Sequence, residues 1–205
     1  MSGNREQGPS TEDSAHVAVS VVLGQRFEER YLRKPASLYF PEEEEVPETK
    51  RHLELRTLLY QLLKHAFADR AAIGCDQFVY WDPTDPKACL APDGFVRLGE
   101  PDHLFDTWKV WERGAPQVAI EIGSRSDRPD PPWNEKLEKY RRLGVSELVR
   151  FDPTSPQRPL RIWDALDHDL VERSLIGPSA RSRILPGFWL LVEDRDLGLT
   201  LRLSH

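Results

Sequence analysis

A short apolar strand that carries one carboxylate constrains this chain more than any other feature. The segment 117–123 reads QVAIEIG, with branched apolar residues at alternate positions and Ala119, Glu121 and Gly123 between them. Successive residues of a strand point to opposite faces, so one face is apolar and the other carries Glu121 between two small residues. A buried ionised carboxylate is costly unless it is paired or binds a metal. Glu121 is therefore the first candidate for a functional residue.

Length and composition predict a single domain in a reducing compartment. The chain has 205 residues, 39% of them hydrophobic, and its two cysteines are too few for a disulfide framework. No run approaches the ~18 apolar residues of a membrane helix, and the N-terminus lacks the features of a signal peptide. We expect a cytoplasmic protein with a disordered acidic segment over residues 1–15 and one domain over residues 16–205.

The net charge of −6 is concentrated near the N-terminus, where residues 1–48 hold 5 basic and 10 acidic side chains. Between Glu121 and Arg150 there are 7 basic and 6 acidic residues. Basic residues in this stretch could form a positive rim that suits a phosphate-bearing substrate, and the alternative is a solvated surface of mixed charge. The candidates for this rim are Arg125, Arg128, Lys139, Arg141 and Arg142.

Periodicity predicts a mixed sheet flanked by helices. Leucines at helical spacing predict a long helix from Glu48 to about Ala68, and WNEKLEKYRRL predicts another over 133–143, closed by Gly144. Apolar runs predict strands, and HVAVSVVLGQRF near the N-terminus fits either a strand or the start of a helix. The order of these elements indicates an α/β fold. The main strands are predicted at 75–81, 89–98, 117–123 and 147–153, with shorter ones towards the C-terminus.

Two further side chains can meet Glu121. Asp93 lies at the start of the preceding strand, and two carboxylates on neighbouring strands could hold Mg²⁺, which prefers oxygen ligands. For Glu121, the alternatives are an ion pair with an arginine or exposure to solvent at a sheet edge. Lys136 stands at the edge of the inward stripe of the second helix, three residues after Trp133. Its ammonium can extend to solvent, or it can reach the space beyond Glu121 and stabilise charge on a phosphate.

These motifs resemble a known family. APD with Asp93, GAPQVAIEIGS with Glu121, and EKLEKYRRLGVSELVRFDP with Lys136 resemble the Uma2 restriction endonucleases of the PD-(D/E)XK nuclease superfamily. The resemblance covers about residues 36–175. It implies a restriction-endonuclease-like fold, in which helices flank a four-stranded mixed central sheet, and we expect additional C-terminal β-strands. It also implies a Mg²⁺-dependent phosphodiesterase that is often dimeric.

The resemblance implies a set of site residues. By position, Asp93 and Glu121 would be the metal-binding acids, and the backbone carbonyl of Ile122 is expected as a third ligand. The superfamily's lysine commonly lies two residues after the glutamate, where this chain has Gly123. The resemblance therefore assigns the amine to Lys136, on the following helix.

The start of the first long helix offers two supporting candidates. Related nucleases often have an acidic residue there that contacts the metal through water, which nominates Glu48 and, beside it, His52. For His52, which shares a stripe with Leu55 and Leu59, a hydrogen-bonded core histidine is the alternative.

The sequence thus predicts a Mg²⁺-dependent endonuclease that acts on nucleic acid, with DNA as the expected substrate, Mn²⁺ as a substitute metal and a homodimer as the expected assembly. The alternative is a nuclease-fold protein that has lost catalysis and serves as a binding module. Asp93, Glu121 and Lys136 favour the enzyme, whereas Gly123 and the low positive charge favour the binding module.

Overall fold

The computed structural model describes residues 49–123 and 133–204 and the backbone of two strands near the N-terminus. The chain divides into two compact units, Met1–Glu45 and Val46–His205. In the first unit, β1 (His16–Val22) and β2 (Gln25–Tyr31) form an antiparallel two-stranded sheet, so the strand alternative holds for this segment. The predicted disordered segment 1–15 lies outside the described residues, and the single domain over 16–205 stays a prediction.

The described part of the second unit contains three helices and twelve strands. The helices are α1 (Lys50–Phe67), α2 (Val110–Arg113) and α3 (Trp133–Leu143). The strands before α3 are β3 (Ala71–Gly74), β4 (Val79–Tyr80), β5 (Cys89–Leu90), β6 (Gly94–Leu98), β7 (Trp108–Lys109) and β8 (Val118–Ile122). The strands after α3 are β9 (Glu147–Phe151), β10 (Leu160–Leu166), β11 (Asp169–Glu172), β12 (Ser179–Arg181), β13 (Phe188–Asp194) and β14 (Gly198–Ser204).

The central sheet has the strand order β11-β10-β9-β8-β6-β3. Only β8 and β9 pair in parallel within it, and α3 connects them, because a parallel pair needs a crossover rather than a hairpin. The predicted mixed α/β fold is confirmed, and β10 and β11 extend the expected four strands to six. The additional C-terminal strands are present as the sheet β12-β13-β14, and β5-β4-β7 forms another small sheet.

Alternation along β8 divides the core between the two faces of the central sheet. Val118, Ile120 and Ile122 pack in the core that contains the buried stripe of α1. Ala119 packs in the other core, together with Tyr140 of α3. Because Glu121 alternates with the first set, it belongs to the face covered by α3.

The predicted strand over 75–81 is correct only at Val79 and Tyr80, which form β4. The helix α1 ends at Phe67, close to its predicted end, and the central-sheet strand is β3, which lies between the predicted helix and the predicted strand. All four residues of β3 are buried, so the segment shows no alternation that would mark it as a strand. The predicted strand over 89–98 is divided into β5 and β6 around Pro92, which has no backbone N–H for a ladder bond.

No helix in the part of the chain that the structure describes is long and apolar enough to cross a membrane.

We predict that Gly74→Ala destabilises the central sheet. Gly74 pairs with Phe95 of β6, and a Cβ at Gly74 would lie 2.0 Å from the ring of this buried phenylalanine. The ring cannot move without repacking the core, so the free energy of unfolding should fall by roughly 1–3 kcal/mol. Urea denaturation of the purified variants measures this change.

The control for this experiment is Gly94→Ala on the neighbouring strand. A Cβ at Gly94 would meet Ile120 at 3.4 Å, which is ordinary contact. Equal losses of stability in the two variants would contradict the proposed packing of Phe95 against Gly74.

Candidate active site

The register of β6 and β8 brings Asp93 and Glu121 together. Gly94 pairs with Ile120, and continuing this antiparallel register by one residue sets Asp93 opposite Glu121. Asp93 lies just before β6, close enough for its charge to act on Glu121. Asp93 and Glu121 are only 9% and 6% exposed. Two carboxylates are therefore buried side by side at adjacent ends of two central strands.

Helix α3 supplies two hydrogen-bond donors to Glu121. Lys136 Nζ lies 2.5 Å from Glu121 Oε2, and the Tyr140 hydroxyl donates to Oε1. Lys136 and Tyr140 are one helical turn apart, so α3 presents both on the same side. Tyr140 is fully buried, whereas the side chain of Lys136 is 35% exposed. Lys136 thus reaches Glu121 while remaining accessible from outside.

Burial controls the protonation of this group of side chains. Loss of solvent raises the pKa of Glu121 from its ordinary 4.5 to about 7, because Lys136 offsets only part of the effect and the charge of Asp93 adds to it. Burial also raises the pKa of Tyr140 well above its usual value, and the neighbouring Glu121 reinforces the shift. Tyr140 therefore keeps its proton and remains a donor at neutral pH.

Asp93 is held from the opposite side of the sheet. Its Oδ1 lies 2.8 Å from His52 Nε2, and its Oδ2 accepts a hydrogen bond of 2.7 Å from the backbone N–H of Ile122. His52 is placed in the first turn of α1, where the side chain of Thr49 caps the helix by accepting from the backbone N–H of His52. His52 thus contacts the candidate site through Asp93, whereas Glu48 lies outside the described residues.

Position 123, two residues after Glu121, has no room for a side chain because Asp152 lies against it. A Cβ at Gly123 would lie 2.7 Å from Asp152 Cγ. Asp152 is fixed, because its Oδ1 accepts hydrogen bonds from the backbone N–H and the hydroxyl of Thr154. Gly123 also donates its N–H to Phe151 O at 2.7 Å, which holds the ends of β8 and β9 together. A side chain at 123 would disturb this junction, so the position does not suit a lysine.

Sequence reasoning did not identify Tyr140 as a site residue. Tyr140 was predicted only as part of the apolar stripe of α3. It follows Lys136 by four residues, so both side chains lie on the same side of the helix and can reach the same group. A buried tyrosine hydroxyl usually needs a hydrogen-bond partner. The Tyr140 hydroxyl finds its partner in the Glu121 carboxylate.

The predicted positive rim is only partly described by the structure. Arg141 and Arg142 both pair with Glu138 on the exposed side of α3, at 2.6 and 3.0 Å. Lys139 is exposed, while residues 124–132, which include the other two candidates, are not described. The mixed-charge alternative fits this part of α3.

The sequence of the chain matches the model of a known protein family. The family model of Uma2, described as "Putative restriction endonuclease", matches residues 25–193. The chain belongs to the Uma2 family. No curated protein matches it. A solved structure similar to this Uma2 chain is that of a "putative nuclease belonging to DUF820" from Anabaena variabilis, with 15% sequence identity and a TM-score of 0.41 over 77% of this chain and 80% of that one.

The pKa of Glu121 predicts how the stability of this Uma2 protein changes with pH when metal is removed by EDTA. Because the folded-state pKa is about 7 and the ordinary value is 4.5, folding favours protonated Glu121. This stabilisation is complete below the ordinary pKa and is lost as pH rises through the folded-state pKa. Relative to Glu121→Gln, the wild type should therefore lose roughly 2–3 kcal/mol between about pH 5 and pH 8.

Urea denaturation of both proteins across this pH range measures the difference directly, since other titrating groups cancel between them. A difference in unfolding free energy that does not change with pH would contradict the raised pKa.

Proposed function

We propose that this Uma2 protein is a Mg²⁺-dependent endonuclease that hydrolyses phosphodiester bonds of DNA. The observation that carries the proposal is the pair of buried carboxylates, Asp93 and Glu121, with the ammonium of Lys136 2.5 Å from Glu121. Membership of a family described as restriction endonucleases supports the nuclease class. A homodimer in the cytoplasm is part of the same proposal, on the grounds of resemblance and composition.

The donor atoms at the site suit Mg²⁺. This ion is usually held by one or two carboxylates, prefers oxygen ligands and keeps several waters. Asp93 and Glu121 would supply the carboxylates, and the carbonyl of Ile122 would complete the protein ligands. Among the described residues, no three His, Cys, Asp or Glu side chains form a metal-binding group, so these residues offer no closed zinc site. A divalent cation would also offset the cost of burying two carboxylates side by side.

Each side chain at the site has a separate role in the proposed reaction. Mg²⁺ held by Asp93 and Glu121 would polarise a phosphate oxygen and lower the pKa of a bound water. Lys136 stabilises the negative charge that develops on the phosphate and orients the attacking water, because its ammonium is partly accessible beside Glu121. Tyr140 holds Glu121 and His52 holds Asp93, which keeps both carboxylates in place for the reaction.

The carboxylates generate the first prediction for this function. Asp93→Asn and Glu121→Gln should each abolish the binding of Mn²⁺, measured by calorimetry, and the nicking of plasmid DNA in Mg²⁺ or Mn²⁺. Glu54→Gln, at an exposed position of α1, is the matched control and should retain both properties. Circular dichroism checks that the variants fold.

Equal cleavage by the wild type and both site variants would indicate a contaminant and overturn the site. A folded wild type that binds DNA but never cleaves it would instead favour the inactive binding module.

Lys136 generates a second prediction, on the chemical step. Lys136→Met keeps much of the packing of the side chain but removes the charge, so single-turnover cleavage should slow by roughly 10²–10³-fold. Mn²⁺ affinity should persist, since an ammonium is not a metal ligand. Lys139→Met, at an exposed position of α3, should cleave like the wild type. Near-equal rates for Lys136→Met and the wild type at saturating metal would mean that Lys136 only pairs with Glu121.

A further inference from the structure

An arginine lies beside the candidate site on the next strand of the central sheet. In the parallel pair β8–β9, Arg150 is the register partner of Glu121. Adjacent strands are about 4.8 Å apart, and paired residues point to the same face. Arg150 therefore leaves the sheet on the side covered by α3, one strand away from Glu121. Its side chain is 21% exposed, so the guanidinium is partly accessible.

The guanidinium of Arg150 stacks on an aromatic ring, and its ion pair with a carboxylate is long. Its Cζ lies 4.3 Å from the ring centroid of Trp133, at the start of α3. The nearest carboxylate oxygen among the described residues, Asp152 Oδ2, is 3.9 Å away, which is too far for a hydrogen bond. Glu121 already accepts from Lys136 and Tyr140. Within the described part of the chain, the five N–H donors of Arg150 thus lack a close acceptor.

A second arginine on the same face of the sheet also stacks on a tryptophan, but it is paired with a carboxylate. Arg161 of β10 is the register partner of Arg150 and stacks on Trp163, 4.6 Å from the ring centroid. Arg161 donates two hydrogen bonds to Glu172, of 2.9 and 2.7 Å. Arg161 thus has a carboxylate partner at hydrogen-bond distance, whereas Arg150 has none among the described residues.

We infer that Arg150 binds a backbone phosphate of the nucleic acid next to the position where cleavage is proposed. A guanidinium matches the geometry of a phosphate and can donate parallel hydrogen bonds to two oxygens of the same phosphate. Stacking on Trp133 fixes the plane of the group before the ligand arrives, which lowers the entropic cost of binding. The inference rests on the proposed function, because it adds a substrate contact to that same site.

The test compares three variants in binding a fluorescent DNA duplex in EDTA over a series of KCl concentrations. Arg150→Met, which keeps an apolar stem against Trp133, should weaken binding about tenfold near 0.1 M salt and reduce the slope of log K against log salt by about one. Arg150→Lys should keep the wild-type slope with a smaller loss of affinity, since it retains the charge without the planar fork. Arg161→Met, at the paired and stacked arginine, should keep the wild-type slope and affinity.

The salt slope separates phosphate binding from a structural role, because a loss of packing would change thermal stability without removing a counterion contact. Unchanged slope and affinity in Arg150→Met would overturn the inference, and so would a wild type that does not bind the duplex. The binding assay contains no metal, so it does not depend on cleavage. The proposed function fails in a different experiment, if the wild type shows no metal-dependent cleavage.

Discussion

The burial of the Glu121 carboxylate in the central sheet is the constraint on which the site depends. A carboxylate at this depth needs donors, and both come from α3, the helix that connects β8 and β9. The helix can supply them because Tyr140 and Leu143 pack in the core on this face of the sheet. One helix therefore packs against the core and also holds the carboxylate of Glu121. Changes in the packing of α3 will change the site.

The two carboxylates are held from opposite sides of the sheet. Glu121 is held by α3, and Asp93 is held by His52 of α1 and by the backbone of β8. Their relative position thus depends on the sheet register and on how each helix packs against it. The close contact of Gly123 with Asp152 leaves no room for a side chain at 123, so the lysine that contacts Glu121 is on the helix and not on the strand. Arg150 then lies on the remaining neighbouring strand, so three adjacent strands contribute to one surface.

Local patterns predicted the elements that carry the site better than they predicted its contacts. The bounds of α3 follow from an amphipathic stripe and from Gly144, whose φ of 86° suits the end of a helix. The strand β3 was missed because four uniformly buried residues carry no periodicity. The contact of His52 with Asp93 joins residues 41 positions apart, and Arg150 lies beside Glu121 only because of the β8–β9 register. Neither follows from spacing in the sequence.

The central claim is that Asp93 and Glu121 together bind a divalent metal. Its most direct test is a crystal structure of the wild-type protein soaked in Mn²⁺, with the ion located from its anomalous scattering. The account predicts one strong peak within about 2.0–2.4 Å of oxygens from both carboxylates, the range expected for a small divalent cation on oxygen ligands. A peak bound elsewhere, or an empty site at saturating Mn²⁺ with Lys136 still paired to Glu121, would contradict it.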